Sequence, residues 1–317
     1  MLAGRCNLFF PNPQRPAGKG GRMGYTSKPL EELDVMDDFL FSAIAADREV
    51  GEAFCRKLLS VLLGRKIGKI RVTAQHTLPA PAPEYRGIRM DVEVEEYEVG
   101  QEQPASVYDL EPHRQTGMHL PRHNRFYQAK MDARYMQRGE NDFSRLPDLF
   151  VITILNYDPF GCGYMMYTVE NHCIEVPDLK YGDGLKFLYF YTGGTKGGSE
   201  EIGNMLRYLQ HSTAENAMDT STKELHDYVS RVKIIPEVRQ GYMSLSERFY
   251  YERREGAREN TVDNILELLE DYGEIPEDLK ERLNSIEDMA LLKKYLKLAA
   301  KAESITEFQT AISEQQK

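Results

Sequence analysis

No apolar run in the 317 residues approaches the eighteen or so needed to cross a bilayer as a helix. Near the start, "NLFFP" is too short for the apolar region of a secretory leader. Cysteine is scarce. Cys6, Cys55, Cys162 and Cys173 form no CxxC pair, and their spacing suits neither a zinc site nor a disulfide framework. A reducing cytoplasm is the compartment these absences favour. Net positive charge is also missing: the formal charge is -10, which weighs against nucleic-acid binding by the whole surface, because phosphate neutralisation dominates that binding.

The charge is uneven, however. Residues 1–29 carry Arg5, Arg15, Lys19, Arg22 and Lys28 without an acid. Residues 114–138 carry Arg114, Arg122, Arg125, Lys130, Arg134 and Arg138 against Asp132 alone. A local basic strip of this kind binds phosphate, or is a solvated helix face.

Residues 1–29 are rich in Gly, Pro and Arg with no apolar period, and are expected to form a disordered tail; Met23 is a second candidate start. Helical spacing follows from Glu31, and Gly64 stops the second helix. "IGKIRVTAQ" reads as a strand. "GIRMDVEVEEYE" alternates strictly, with Ile88, Met90, Val92 and Val94 on one face and Arg89, Asp91, Glu93 and Glu95 on the other. "ASVYDLE" is its return strand, which Pro112 is expected to end just after Glu111. "LPRHNRFYQAKMDARYMQR" reads as a helix with the apolar stripe Phe126, Ala129, Ala133 and Met136, so that Arg134 points outward. "DLFVITIL", "GYMMYTVE" and "KFLYFYT" are further strands, and "EEIGNMLRYLQ" is a helix. From about residue 253 only helices are expected, with capping boxes at Ser285-x-x-Asp288 and Ser304-x-x-Glu307. The predicted organisation is a tail over 1–29, a mixed α/β domain over 30–252 with helices flanking a small sheet, and a helical appendage over 253–317 that can mediate self-association.

Two acids stand out. If the hairpin turns about Gln101, residues whose numbers sum to 202 face each other, and Asp91 and Glu111 satisfy that sum. Opposed residues have Cβ atoms about 4.5–5.5 Å apart, where like charges repel unless neutralised. Mg²⁺ binds through one or two carboxylates and would neutralise them. The same acids, with Glu93 and Glu95 beside Asp91, would equally serve a solvent-facing strand kept from aggregating by charge.

The ordered set "MDDFLF", "GIRMDVEVEE", "VYDLE", "LPRHNRFYQAKMD" and "LPDLFVITILNYDPFG" resembles the PD-(D/E)XK nuclease superfamily. More narrowly, it is similar to the bacterial Rpn-type proteins, called recombination-promoting nucleases or putative transposases. The helical tail "GEIPEDLKERL" onward is similar too, so the resemblance covers roughly residues 33–310. It implies a restriction-endonuclease-like core and a DNA endonuclease using Mg²⁺ or Mn²⁺, held by Asp91, Glu111 and Asp38. The motif lysine would fall at position 113, where this chain has His113. Three roles stay open: His113 acts as a base, a cation from the following helix replaces the lysine, or catalysis is impaired. Lys130 or Arg125 is the expected near-site cation, and Arg114, Arg122 and Arg134 are expected phosphate contacts.

Other motifs are weaker. "TGGTKGGSEE" lacks the spacing of a phosphate-binding loop. His119 and His123 flank Pro121 outside any HExxH context.

Overall fold

The computed structural model describes residues 28–78, 88–114, 119–136, 139 and 141–314. The expected tail lies almost wholly outside these, as does Arg138. The chain divides into two compact units, Met1–Gln240 and Gly241–Lys317.

The first unit holds a six-stranded mixed sheet in the order β1-β4-β5-β6-β8-β7, flanked by helices. It opens with α1 (Asp38–Ala46) and α2 (Gly51–Leu63). These helices approach closely at Gly51, where a Cβ would sit 2.4 Å from the Ala45 carbonyl oxygen. Gly64 closes α2 in the left-handed region with φ 63°, a conformation glycine adopts without a steric cost. β1 (Lys69–Ala74) then forms one sheet edge.

The strand expected from residue 88 onward is broken at Asp91. β2 (Thr77–Leu78) and β3 (Ile88–Arg89) make a separate two-stranded pair, while β4 (Val92–Tyr97) joins the main sheet. Ile88 and Met90 pack with Val107 and Met131 on one side. β4 instead places Glu93 and Glu95 on that side, because they lie opposite Asp109 and Val107. The backbone kink at Asp91 thus switches the apolar series from one face to the other, which strict alternation does not anticipate.

β5 (Ser106–His113) runs antiparallel to β4 and parallel to β6 (Asp148–Leu155). Pro112 does not end it: Pro112 lies opposite Ile154 and His113 opposite Leu155. Proline lacks an amide donor, but the β4 ladder has already ended at Leu110, so no rung is lost on that side. The crossover between these parallel strands is α3 (Leu120–Tyr135), and the sheet is completed by β7 (Met166–Val169) and β8 (Leu185–Tyr191). Beyond the sheet, α4 (Glu200–Gln210) packs on α2, and so does α5 (Thr220–Lys233). Reciprocal hydrogen bonds between Asp219 and Thr222 start α5.

The helix α3 turns a different face inward from the one its apolar residues suggest. Leu120, Asn124 and Met131 are buried, whereas Ala129 and Ala133 are exposed and Phe126 is 38% exposed. The inward stripe is therefore partly polar. Asn124 donates to Thr153 Oγ1 at 3.0 Å, and Arg134 reaches Glu93 at 2.7 Å. The sheet face beneath is itself acidic, and it selects hydrogen-bonding partners over methyl groups.

α6 (Pro236–Glu270) carries Gly241 and Gly256 in its interior without stopping, and so runs through the predicted boundary near 253. The second unit continues with α7 (Glu277–Asn284), α8 (Met289–Ala299) and α9 (Ile305–Glu314) around a core of Ile265, Leu269, Leu283, Leu292, Tyr295 and Phe308. Asp288, not Ser285, caps α8 by accepting from the Ala290 amide. Among the described residues, no helix is long and apolar enough to cross a membrane.

Candidate metal centre

The hairpin register places the acids. Rungs run from Val92 opposite Leu110 to Glu96 opposite Ser106, so every pair sums to 202, and Asp91 stands one step beyond the last rung toward Glu111. Its backbone amide donates to Glu111 Oε1 at 3.0 Å. Because Asp91 lies in the kink rather than in the ladder, its amide is free to bind a side chain.

Asp109 belongs to the same cluster. It faces Glu93 across the ladder and lies two residues from Glu111, hence on the same sheet face. Asp109 is fully buried, Glu93 is 2% exposed and Glu111 is 5% exposed. Neither Asp109 carboxyl oxygen accepts from an amide or hydroxyl donor; its neighbour is the Glu111 carboxyl, with which it shares a hydrogen bond only when one of the two is protonated. A buried carboxylate in that condition is costly unless it is protonated or neutralised by a cation.

The electrostatics follow from burial and crowding. Burial raises the Asp91 pKa to about 7, with the charge of Asp38 adding to the shift and Arg89 opposing it. Burial, then Asp91, pushes Asp109 well above the usual carboxylate range. Glu111 is likewise raised by burial, then by Asp109 and Asp91, against the Asp91 amide. Asp38, the first residue of α1, is raised by burial and by Asp37. The three carboxylates expected at a metal, Asp38, Asp91 and Glu111, are thus electrostatic neighbours. Asp109 is the member that sequence reasoning missed.

His113 ends β5 with Nε2 3.7 Å from Glu111 Oε2, and this buried nitrogen has no hydrogen bond. Its ring stands edge-on to His123 at 5.9 Å between centroids. Burial, helped by His123, lowers its pKa to about 4, so the imidazole is neutral near pH 7 and supplies no fixed charge in place of a lysine. His123, set aside on sequence, touches the site through this ring contact. Its Nδ1 also lies 3.1 Å from Asn124 Oδ1.

The basic residues divide into two groups. Arg134 turns inward, bonding Glu93, approaching Glu95 at 3.7 Å and contacting the hydroxyl of Tyr135. Arg114 is held by Asp34 at 3.3 Å and Asp37 at 3.1 Å. Arg134 thus does not point outward as expected, because Glu93 and Glu95 draw it to the sheet; Arg114 is engaged by acids of the α1 start. Arg122 and Arg125 lie on the exposed face of α3, and Lys130 sits over the Phe126 ring at 5.6 Å. That face points away from the acidic sheet, so Lys130 and Arg125 are not placed beside the carboxylates.

No family model, curated protein or solved structure matches this chain.

Among the described residues, no group of three or more His, Cys, Asp or Glu side chains is arranged to hold a metal ion by itself. A protein-only cage of the zinc or calcium kind is therefore not the fit. The donors on hand are hard carboxyl oxygens: Asp109 and Glu111 lie together, and the charge of Asp91 acts on both. They suit Mg²⁺ or Mn²⁺, since Mg²⁺ takes one or two carboxylates and keeps several waters.

Proposed function

We propose that this chain is a Mg²⁺- or Mn²⁺-dependent DNA endonuclease of the PD-(D/E)XK, Rpn-type kind, with a restriction-endonuclease-like core. The observation that carries the reading is the buried carboxyl cluster at the hairpin end, tied together by the Asp91 amide and Glu111. The mixed sheet flanked by helices supports the core assignment. Asp91 and Glu111 would hold the cation, with Asp38 and Asp109 adding negative charge around it. A bound cation would acidify a water and offset charge on a scissile phosphodiester.

The chain's own groups would do the remainder. His113, neutral and with a buried, unpartnered Nε2 beside Glu111, would accept a hydrogen bond from a water admitted with the cation, and would act as a base only where the cation and substrate raise its lowered pKa. Arg122, Arg125 and Lys130 would meet phosphates from the outer face of α3. Arg134 and Asn124 position that helix over the sheet through Glu93 and Thr153. A cytoplasmic enzyme of this kind would promote recombination by cutting DNA rather than by strand transfer.

One observation favours a second reading. The lack of fixed charge at His113 suits a catalytically impaired relative that binds DNA or protein. Plasmid nicking with Mg²⁺ or Mn²⁺ separates the two. The nuclease reading expects nicking by the wild type and loss of it in Asp91→Ala and Glu111→Ala. Unchanged nicking in both variants would remove the site, and no nicking with either metal would favour the binding module.

A further inference from the structure

Residues 289–302 contain Lys293, Lys294, Lys297 and Lys301 and no acid, within a unit whose other helices are acid-rich. The placement of these lysines is ordered. Leu292, Tyr295 and Ala299 bury one side of α8 in the helical core. At 100° per residue Lys293, Lys294 and Lys297 fall within about a 100° arc opposite that side; Lys301 follows in the turn after the helix, and all four are exposed. Among the described residues they form no ion pair within 4.0 Å; the nearby acid–base pairs join Glu277 to Lys280 and Glu255 to Arg258. Lys297 and Lys301 suit the negative end of the α8 dipole, but Lys293 and Lys294 lie too far from it for that account.

The local architecture adds a second, independent indication. α7 and α8 are joined by the four residues 285–288 and share one core through Leu279, Leu283, Leu292 and Tyr295. A turn of this length is shared by plain antiparallel helix pairs and by the helix-turn-helix motif, whose second helix lies against duplex DNA. Here the second helix is the one that carries the lysine face.

We infer that α8 is a DNA phosphate-contacting surface in the C-terminal unit, separate from the exposed face of α3. The inference rests on the nuclease reading for the identity of the nucleic acid. Lysine ammonium groups recognise the phosphate backbone as point charges, so the contact is independent of sequence. From Lys293 to Lys297 the helical face spans about 6 Å along the axis, and Lys301 extends it beyond the C-cap.

The test uses the full chain with EDTA, to prevent cleavage, and a labelled short duplex. Binding is followed by anisotropy across a salt series, for wild type and for a variant carrying Lys293→Gln, Lys294→Gln and Lys297→Gln. Glutamine keeps a comparable helix propensity, and circular dichroism checks the fold. The slope of log K against log salt should fall by about 0.9 per lysine removed, with equal loss of affinity on unrelated sequences. An unchanged slope in a folded variant would overturn the inference, and so would a wild type that binds no duplex. Loss of self-association with DNA binding unchanged would assign the face to a second copy and also overturn it. Nicking distinguishes this from failure of the nuclease reading: wild type that never nicks but shows the lysine-dependent slope keeps α8 and loses the catalytic assignment.

Discussion

The backbone amide of Asp91 donates to Glu111 Oε1 at 3.0 Å, one step beyond the last rung of a hairpin in which Glu111 and Asp109 are buried. That relationship fixes the geometry of the proposed cation site and gives it a pH signature.

The signature concerns stability. Burial and Asp38 raise the Asp91 pKa from 3.8 to about 7. The folded chain therefore holds a proton that the unfolded chain releases, and stability falls as pH rises from about 4 through 7. Above that range the repulsion is fully expressed and a divalent cation has most to offset, whereas at pH 6 it must first displace a proton. Thermal melts with and without Mn²⁺ should show a larger stabilisation at pH 8 than at pH 6. An equal shift at both would count against a cation at these carboxyls.

Asp109 should behave as a buried acid crowded by Glu111 and Asp91. Asp109→Asn keeps the shape and removes the charge. In urea melts without divalent cations the variant should gain on the wild type as pH rises, by up to about 1–3 kcal/mol once the wild-type carboxyl must ionise. Mn²⁺ should stabilise the variant less than the wild type.

Arg134 and Arg125, nine residues apart on α3, should separate cleanly. Arg134→Gln leaves buried Glu93 facing only His76 Nδ1 at 3.3 Å, at a cost of about 2–3 kcal/mol in a urea melt. Arg125→Gln, on the exposed face, should change stability by less than about 0.5 kcal/mol while weakening duplex binding. Comparable destabilisation by both would contradict the inward placement of Arg134.

Much of this arrangement can be read from the sequence, and the parts that cannot have physical causes. A hairpin turning about Gln101 gives pairs that sum to 202; the rungs of β4 and β5 keep that sum, and Asp91 stands one step beyond them. The same logic put Asp109 opposite Glu93, but a strand face of acids reads as a solvent face. Only a covering helix makes it buried, and α3 covers it with Asn124 and Arg134 rather than with its alanines. An amphipathic reading of α3 therefore selects the opposite side and misplaces Arg125, Lys130 and Arg134 together. The break at Asp91 was hidden for a related reason: the apolar series Ile88, Met90, Val92 and Val94 stays regular in sequence while the chain changes face.

His113 offers a test in which activity and stability move apart. Its buried Nε2 has no hydrogen bond, so His113→Leu should leave stability unchanged or slightly higher. If the imidazole accepts the proton of the attacking water, nicking should slow about a hundredfold or more. A variant that nicks at the wild-type rate would release His113 from the chemistry and leave the carboxyls as the whole of the site.

The central claim is that Asp91 and Glu111 share a divalent cation, and anomalous diffraction from crystals soaked in Mn²⁺ tests it most directly. The account predicts a manganese peak in contact with both carboxylates at pH 8, lost in Glu111→Gln. Saturating Mn²⁺ with no peak there, and the two carboxyls bonded only to each other or to water, would contradict it.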